Sequence, residues 1–260
     1  MHSHSRLKDL LRGLIPGPLL RARQAWRNRR RERYAGVLAA ATGGRVLGGP
    51  FAGMQYVTAG AGSALGPKLL GTYESEIHPA VENLIAGPFD VVVNVGAGEG
   101  YYAVGLLTRM PAARGWAYEG DPRGQALIRE LAALNGEGGR LEVGGFCTPD
   151  DLARAVDAAR APAVVIDVEG AEGDLLDPGK CPGLRRAAVL VEVHEYLRPG
   201  VTDALLGWYA ASHDIRRTPT VAAGGLALPG VPGLTRGQVR LLADEMRPAP
   251  MEWFWMTPRH

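Results

Sequence analysis

The sequence predicts an α/β fold, a doubly wound and mostly parallel sheet preceded by a helical N-terminal extension. Three observations predict it. From residue 90 onward, short apolar runs alternate with helical stretches, the order that builds a parallel sheet covered on both faces. A glycine-rich turn, Gly96-Ala97-Gly98-Glu99-Gly100, joins the first of these runs to the next helix, where such folds hold nucleotide-type ligands. Later runs end in carboxylates, at Asp167, Glu169 and Glu192.

Each element follows from local pattern. Residues 1–14 read as an amphipathic helix through Leu7, Leu10, Leu11 and Leu14, interrupted by Pro16 and Pro18. A second helix over 19–41 carries Arg27, Arg29, Arg30, Arg31 and Arg33 and stops at Gly43-Gly44. Together they make a basic extension, 1–44. The main domain is read as 45–260, with 45–88 as an upstream cap. In the cap, 45–72 is glycine-rich with one strand over 54–57, and 75–86 is a helix through Ile77, Val81, Leu84 and Ile85. Strands follow over 90–95, 115–119, 140–143, 163–168 and 187–193, with helices over 101–109, 122–135, 150–160, 171–177 and 202–211. Two further strands lie near 214–217 and 252–256.

Composition narrows the function classes. The 260 residues suit one large domain, and 46% apolar with 22% charged residues is ordinary for a soluble globular chain. The 36 glycines and 19 prolines show no collagen period and lie between patterned apolar segments. The net charge of +2 hides an asymmetry: residues 1–35 hold nine arginines and one lysine against Asp9 and Glu32, so the remainder is net acidic. A uniformly basic nucleic-acid binder is excluded. Cys147 and Cys181 form no metal or redox spacing. Residues 10–20 are broken by Arg12, Gly13, Pro16, Gly17 and Pro18, and an arginine cluster follows, unlike a secretory signal. No apolar run reaches the roughly 18 residues of a spanning helix, and the chain reads as cytoplasmic.

The glycine turn narrows the ligand. Glycines at alternate positions permit a tight turn and close approach of a ligand, and the helix beyond offers unpaired N–H groups. Dinucleotide enzymes carry G-x-G-x-x-G, whereas this turn is G-x-G-x-G; a nicotinamide site is the competing reading. The turn resembles motif I of class I methyltransferases, which bind S-adenosylmethionine. Glu119 stands 19 residues after Gly100 at the end of the second strand, placed to bond ribose hydroxyls, a feature dinucleotide binders share.

The carboxylates suggest chemistry. Asp167 and Glu169, at i and i+2, are expected on one side of their strand, as are Glu192 and His194 on theirs. All four are expected to line one cleft. Such a set suits removal of a hydroxyl proton, or ligation of magnesium or manganese by Asp167, Glu192 and His194. For His194 alone, a purely structural hydrogen-bonding role is the plainer alternative.

The run Asp167-Val168-Glu169-Gly170-Ala171-Glu172, followed by Val191-Glu192-Val193-His194, resembles FkbM-like methyltransferases. So do Lys68-Leu69-Leu70-Gly71-Thr72-Tyr73-Glu74 upstream and Trp253-Phe254-Trp255 at the close, and the likeness covers about 50–258. The resemblance implies a class I fold and methyl transfer from S-adenosylmethionine, often to an oxygen of a small molecule or sugar. It implies cofactor contacts at Asn94, Gly96, Gly98, Gly100, Glu119, Phe146 and Asp167, with Tyr73 and Glu76 closing the pocket. Asp167 and Glu169 would border the methyl and the acceptor, and His194 would act as base or metal ligand. Motif I often has an acid where this chain has Asn94, which accepts a hydrogen bond but carries no charge. A non-catalytic module on the same fold, with Asn94 as a mark of decay, is the rival. A third reading gives residues 21–33 an anionic partner, RNA or membrane, with Trp26 and Tyr34 flanking the arginines. Oligomeric state is left open, a homodimer included.

Overall fold

The computed structural model describes residues 17–58, 65–221, 227–247 and 249–259, the backbone alone for 17–25. The helix expected over 1–14 lies outside the described residues.

Seven strands form one sheet in the order β3-β2-β1-β4-β5-β7-β6. Five are parallel: β1 (Val91–Val95), β2 (Arg114–Tyr118), β3 (Leu141–Gly144), β4 (Pro162–Ile166) and β5 (Ala188–Val193). The last two, β6 (His213–Pro219) and β7 (Glu252–Pro258), are antiparallel, and β7 lies between β5 and β6. This is a doubly wound, Rossmann-like fold, as the sequence implied. β1, β4 and β5 are buried along their whole length, so their β-branched runs have no solvent face to alternate against. The pleat still sorts them. Val92 joins Val104, Leu107 and Ile128 in the core on one face, while Val91, Val93 and Val95 join Leu152 and Val156 on the other. The strand order reverses between β1 and β4, which opens a crevice at their carboxyl ends.

Nine helices of four or more residues are described: α1 (Gly17–Thr42), α2 (Leu65–Leu70), α3 (His78–Ala86), α4 (Tyr101–Arg109), α5 (Pro122–Leu134), α6 (Pro149–Asp157), α7 (Glu172–Leu175), α8 (Val201–Tyr209) and α9 (Arg236–Leu242). Their starts follow local chemistry. Asp121 accepts from the Arg123 N–H ahead of Pro122 in α5. Thr148 and Asp151 form a capping box on α6, as Thr235 and Gln238 do on α9.

Three expectations are corrected. The strand over 54–57 is only an isolated bridge, Arg45 to Gln55. Gly44, Gly49 and Gly53 adopt positive φ around it, so the chain turns too often for a ladder. The helix over 75–86 is a single 3-10 turn, Ser75–Ile77, followed by α3. Pro79 has no N–H to donate and fits a helix's first turn, not its interior. The strand over 163–168 stops at Ile166, and Asp167 opens a turn in which Glu169 has φ +47°. The helices α2 and α9 were not expected.

Part of the arginine cluster is used within the molecule. Arg27 and Arg31 approach Asp244 at 3.7 and 3.5 Å, and Arg30 stacks over Trp26 at 4.4 Å. Ala35 and Leu38, further along α1, are buried in the core. Among the described residues, no helix is long and apolar enough to cross a membrane.

Candidate active site

A cavity of about 720 Å³ opens at the carboxyl ends of β1, β4 and β5, where the topology places a ligand. Its floor is the glycine turn; its other walls come from the cap around Lys68, Tyr73 and Glu74, and from the loop holding Glu245, Arg247 and Met251.

The turn is shaped by contacts on both sides. Gly96 and Ala97 both donate to the Tyr118 carbonyl at 3.0 Å. Gly96 has φ +73°, and a Cβ there would drive into the Asp167 carbonyl oxygen. Gly98 has φ +55°, but a Cβ there would meet nothing within 4 Å; its empty side is room for a ligand. Asn94 is 3% exposed. Its Nδ2 donates to the Val165 carbonyl at 3.2 Å, while its Oδ1 has no partner among the described residues. Such a buried acceptor is costly to leave unmet. Glu119 closes the turn from β2, accepting from Gly98 N–H through Oε2 and from Asp121 N–H through Oε1, both at 2.8 Å.

The acidic end of the cavity converges on His194. Its Nδ1 lies 2.6 Å from Oε1 of Glu172, a carboxylate with no exposed surface. Bonded to a carboxylate, Nδ1 is the protonated nitrogen, and Nε2 stands 3.7 Å from Asp167 Oδ1 and 3.6 Å from Glu192 Oε2. Burial opposes charging of the imidazole, yet the hydrogen bond and charge of Glu172, with Asp167 and Glu169, hold its pKa above the ordinary histidine value. Burial pushes Asp167 up. Glu192 is pushed up to about 9 by burial and by the charges of Asp167 and Glu74. Glu74, which accepts from the Tyr102 hydroxyl, is pushed up to about 8, mainly by burial. Arg247 ties this end together, with Glu76 at 2.9 Å, Glu192 at 3.1 Å and Glu245 at 2.7 Å.

Of the residues expected at the site, Tyr73, Asn94, Gly96, Gly98, Glu119, Asp167, Glu169, Glu192 and His194 line this one cavity. Asp167 and Glu169 reach it from a turn, not by strand alternation. His194 lies one residue beyond β5. Three do not line it. Gly100 caps α4 and packs against Ile128. Glu76 turns to Arg247 instead. Phe146 is 79% exposed on the loop after β3. Glu172, Glu74, Lys68 and Arg247 join the site without having been expected there. The first three stand in motifs already singled out; Arg247 lies in a loop without a local pattern.

Fold and crevice together define a Rossmann-like scaffold with a ligand cavity at the switch point of its sheet. No protein-family model matches the chain. A stretch of 68 residues, 26% of the chain, is 40% identical to the release factor glutamine methyltransferase of Cereibacter sphaeroides, and it spans only 24% of that protein. Among solved structures, the chain is similar to a putative O-methyltransferase from Klebsiella pneumoniae (13% identity, 96% of this chain and 95% of that one, TM-score 0.46). It is also similar to the O-methyltransferase TomG from Streptomyces achromogenes, solved in complex with SAM (15% identity, 69% and 78%, TM-score 0.44). A third similar structure is the precorrin-6y C5,15-methyltransferase from Geobacter metallireducens (11% identity, 68% and 84%, TM-score 0.46).

Proposed function

We propose that the protein is an S-adenosylmethionine-dependent methyltransferase of the FkbM-like kind, acting on an oxygen of a small-molecule or sugar-type acceptor. The observation that carries this is the crevice floor: a buried Asn94 Oδ1 with no partner among the described residues, beside a glycine turn whose Gly98 has no described atom within 4 Å of a Cβ position. An ammonium group, such as that of the cofactor's amino-acid part, supplies the donor this oxygen lacks. Glu119 keeps lone pairs for ribose hydroxyls beyond its two backbone bonds. Phe146 offers an exposed ring for the adenine on the loop after β3.

Methyl transfer from a sulfonium needs alignment more than activation. Asp167 and Glu169, which line the cavity, would border the methyl and the acceptor when both are bound. His194 takes the acceptor's proton at Nε2, and Glu172 holds the ring and favours the imidazolium that results. In calorimetry, S-adenosylhomocysteine is expected to bind, and Glu119→Ala is expected to weaken it about tenfold or more through loss of charge-assisted hydrogen bonds. Folded protein that binds neither cofactor nor product contradicts the proposal. Cofactor binding also separates it from the decayed-module reading, in which affinity is gone.

A second reading adds a divalent cation. Asp167, Glu192 and His194 each offer one ligand atom, all within 4.8 Å of one another. Two carboxylates and an imidazole suit magnesium or manganese, and a carboxylate on the far ring nitrogen is the usual partner of a metal-binding histidine. When bound, such an ion would lower the pKa of an acceptor hydroxyl. Manganese titration followed by electron paramagnetic resonance is expected to show one tight site that His194→Ala removes. Free-ion spectra throughout the titration would exclude the ion.

A further inference from the structure

We propose that the outer face of α1 docks on an anionic lipid surface. Trp26, Arg29, Arg30 and Arg33 stand at i, i+3, i+4 and i+7 of this helix, a spacing that puts them in one stripe. Arg31, Ala35 and Leu38, on the far side, are buried against the body. Trp26 is 55% exposed, and Arg29 and Arg33 are exposed as well. Arg30 lies over the Trp26 ring and donates to the Tyr34 hydroxyl at 2.8 Å. Arg27 and Arg31 are paired with Asp244, whereas among the described residues Arg29, Arg30 and Arg33 make no ion pair.

Charge and side-chain type select the partner. α1 carries seven arginines against one acid, Glu32, while the chain beyond residue 35 is net acidic. An anionic surface attracts the helix and repels the body, which turns α1 toward it. The helix is presented as a fixed ridge, because Arg27 and Arg31 hold Asp244 and Leu38 is in the core. An exposed indole beside arginines suits a headgroup layer, where the ring rests at the acyl boundary and the guanidinium groups meet phosphates. RNA shares the phosphates, but the chain preceding Trp26 favours lipid. Leu7, Leu10, Leu11 and Leu14 again stand at i, i+3, i+4 and i+7, interleaved with Lys8 and Arg12. Aliphatic side chains enter the hydrocarbon of a leaflet. RNA presents phosphates, sugars and stacked bases, with nothing for four leucines to enter.

The test is sedimentation of the full chain with vesicles of phosphatidylcholine and phosphatidylglycerol, against vesicles of phosphatidylcholine alone. Binding is expected to the anionic vesicles only, and to fall as salt rises. One arginine at such a surface is worth about fivefold in affinity, so Arg29→Gln/Arg33→Gln is expected to weaken binding about tenfold or more. Both side chains face away from the core, so the melting temperature is expected to be unchanged. Arg29→Lys/Arg33→Lys is expected to bind like the wild type. Tryptophan emission is expected to shift to the blue on anionic vesicles, and Trp26→Phe to remove that shift in protein that still sediments. Wild-type protein that ignores anionic vesicles at low salt overturns the proposal, as does a glutamine double variant that binds them undiminished. A uridine homopolymer bound more tightly than the vesicles, through the same two arginines, assigns the face to RNA and overturns it too.

Discussion

Gly96→Ala is expected to cost on the order of 3–5 kcal/mol of stability and to abolish binding of S-adenosylhomocysteine. Two effects add. Gly96 has φ +73°, in the left-handed region, which costs a residue with a side chain about 1–2 kcal/mol. The added methyl would also occupy the space of the Asp167 carbonyl oxygen. That oxygen cannot retreat cheaply, because Asp167 N–H is bonded to the Val95 carbonyl at 3.1 Å and Gly96 N–H to the Tyr118 carbonyl at 3.0 Å. Relief requires β1 and β4 to part at the very end that forms the crevice. Gly98→Ala is the matched control. Its φ is +55° but its Cβ has open space, so the expected stability loss is about 1–2 kcal/mol, while the methyl intrudes where the ligand belongs. Thermal unfolding and calorimetry on both variants separate the two effects. A Gly96→Ala protein that melts with the wild type would show that the turn is not clamped as described.

The same clamp marks the boundary between what the sequence discloses and what it does not. The apolar runs of β1, β4 and β5, broken only by Asn94 and Glu192, are legible because a doubly covered strand has no polar face, and the spacing of Gly96, Gly98 and Gly100 discloses the turn. The end of β4 is not legible. Val168 continues the apolar run, yet the chain leaves the ladder after Ile166 because Gly96 packs on Asp167 and Glu169 takes a positive φ. Asp167, Glu169 and His194 still converge, by turn geometry that period-two reasoning does not contain. Glu172, at the start of α7, meets His194 just beyond β5, a contact 22 residues apart in sequence. Arg247 gathers partners from the cap, β5 and its own loop, and no local pattern encodes such a meeting. The start of α9 is a different case. Its Thr235-to-Gln238 capping box is a local pattern that the sequence itself carries.

Glu74→Gln is expected to become progressively more stable than the wild type as pH rises from about 5 to about 9. Glu74 is 3% exposed in the cap. Burial, with the charge of Asp167, pushes its carboxyl up to about 8 from an ordinary 4.5, against the opposing pull of the Tyr102 hydroxyl and Arg247. A carboxyl whose folded pKa is raised binds its proton more tightly in the native state. Its contribution to stability is therefore complete below pH 4.5 and is lost as pH climbs through the folded value near 8. Above that value both states are ionised and the loss stops growing. The full span from 4.5 to about 8 corresponds to roughly 5 kcal/mol, most of it lost between pH 5 and 9. Glutamine keeps an oxygen for the Tyr102 hydroxyl and has no proton to lose, so its own curve lacks this descent. Melting temperatures of both proteins across that range, in chelator-containing buffer, read the difference directly. Parallel curves would mean that Glu74 titrates alike in the folded and unfolded chain. A wild type that gains on the variant with rising pH would mean that Arg247 and Tyr102 outweigh burial, making Glu74 a charged member of the acidic wall at neutral pH.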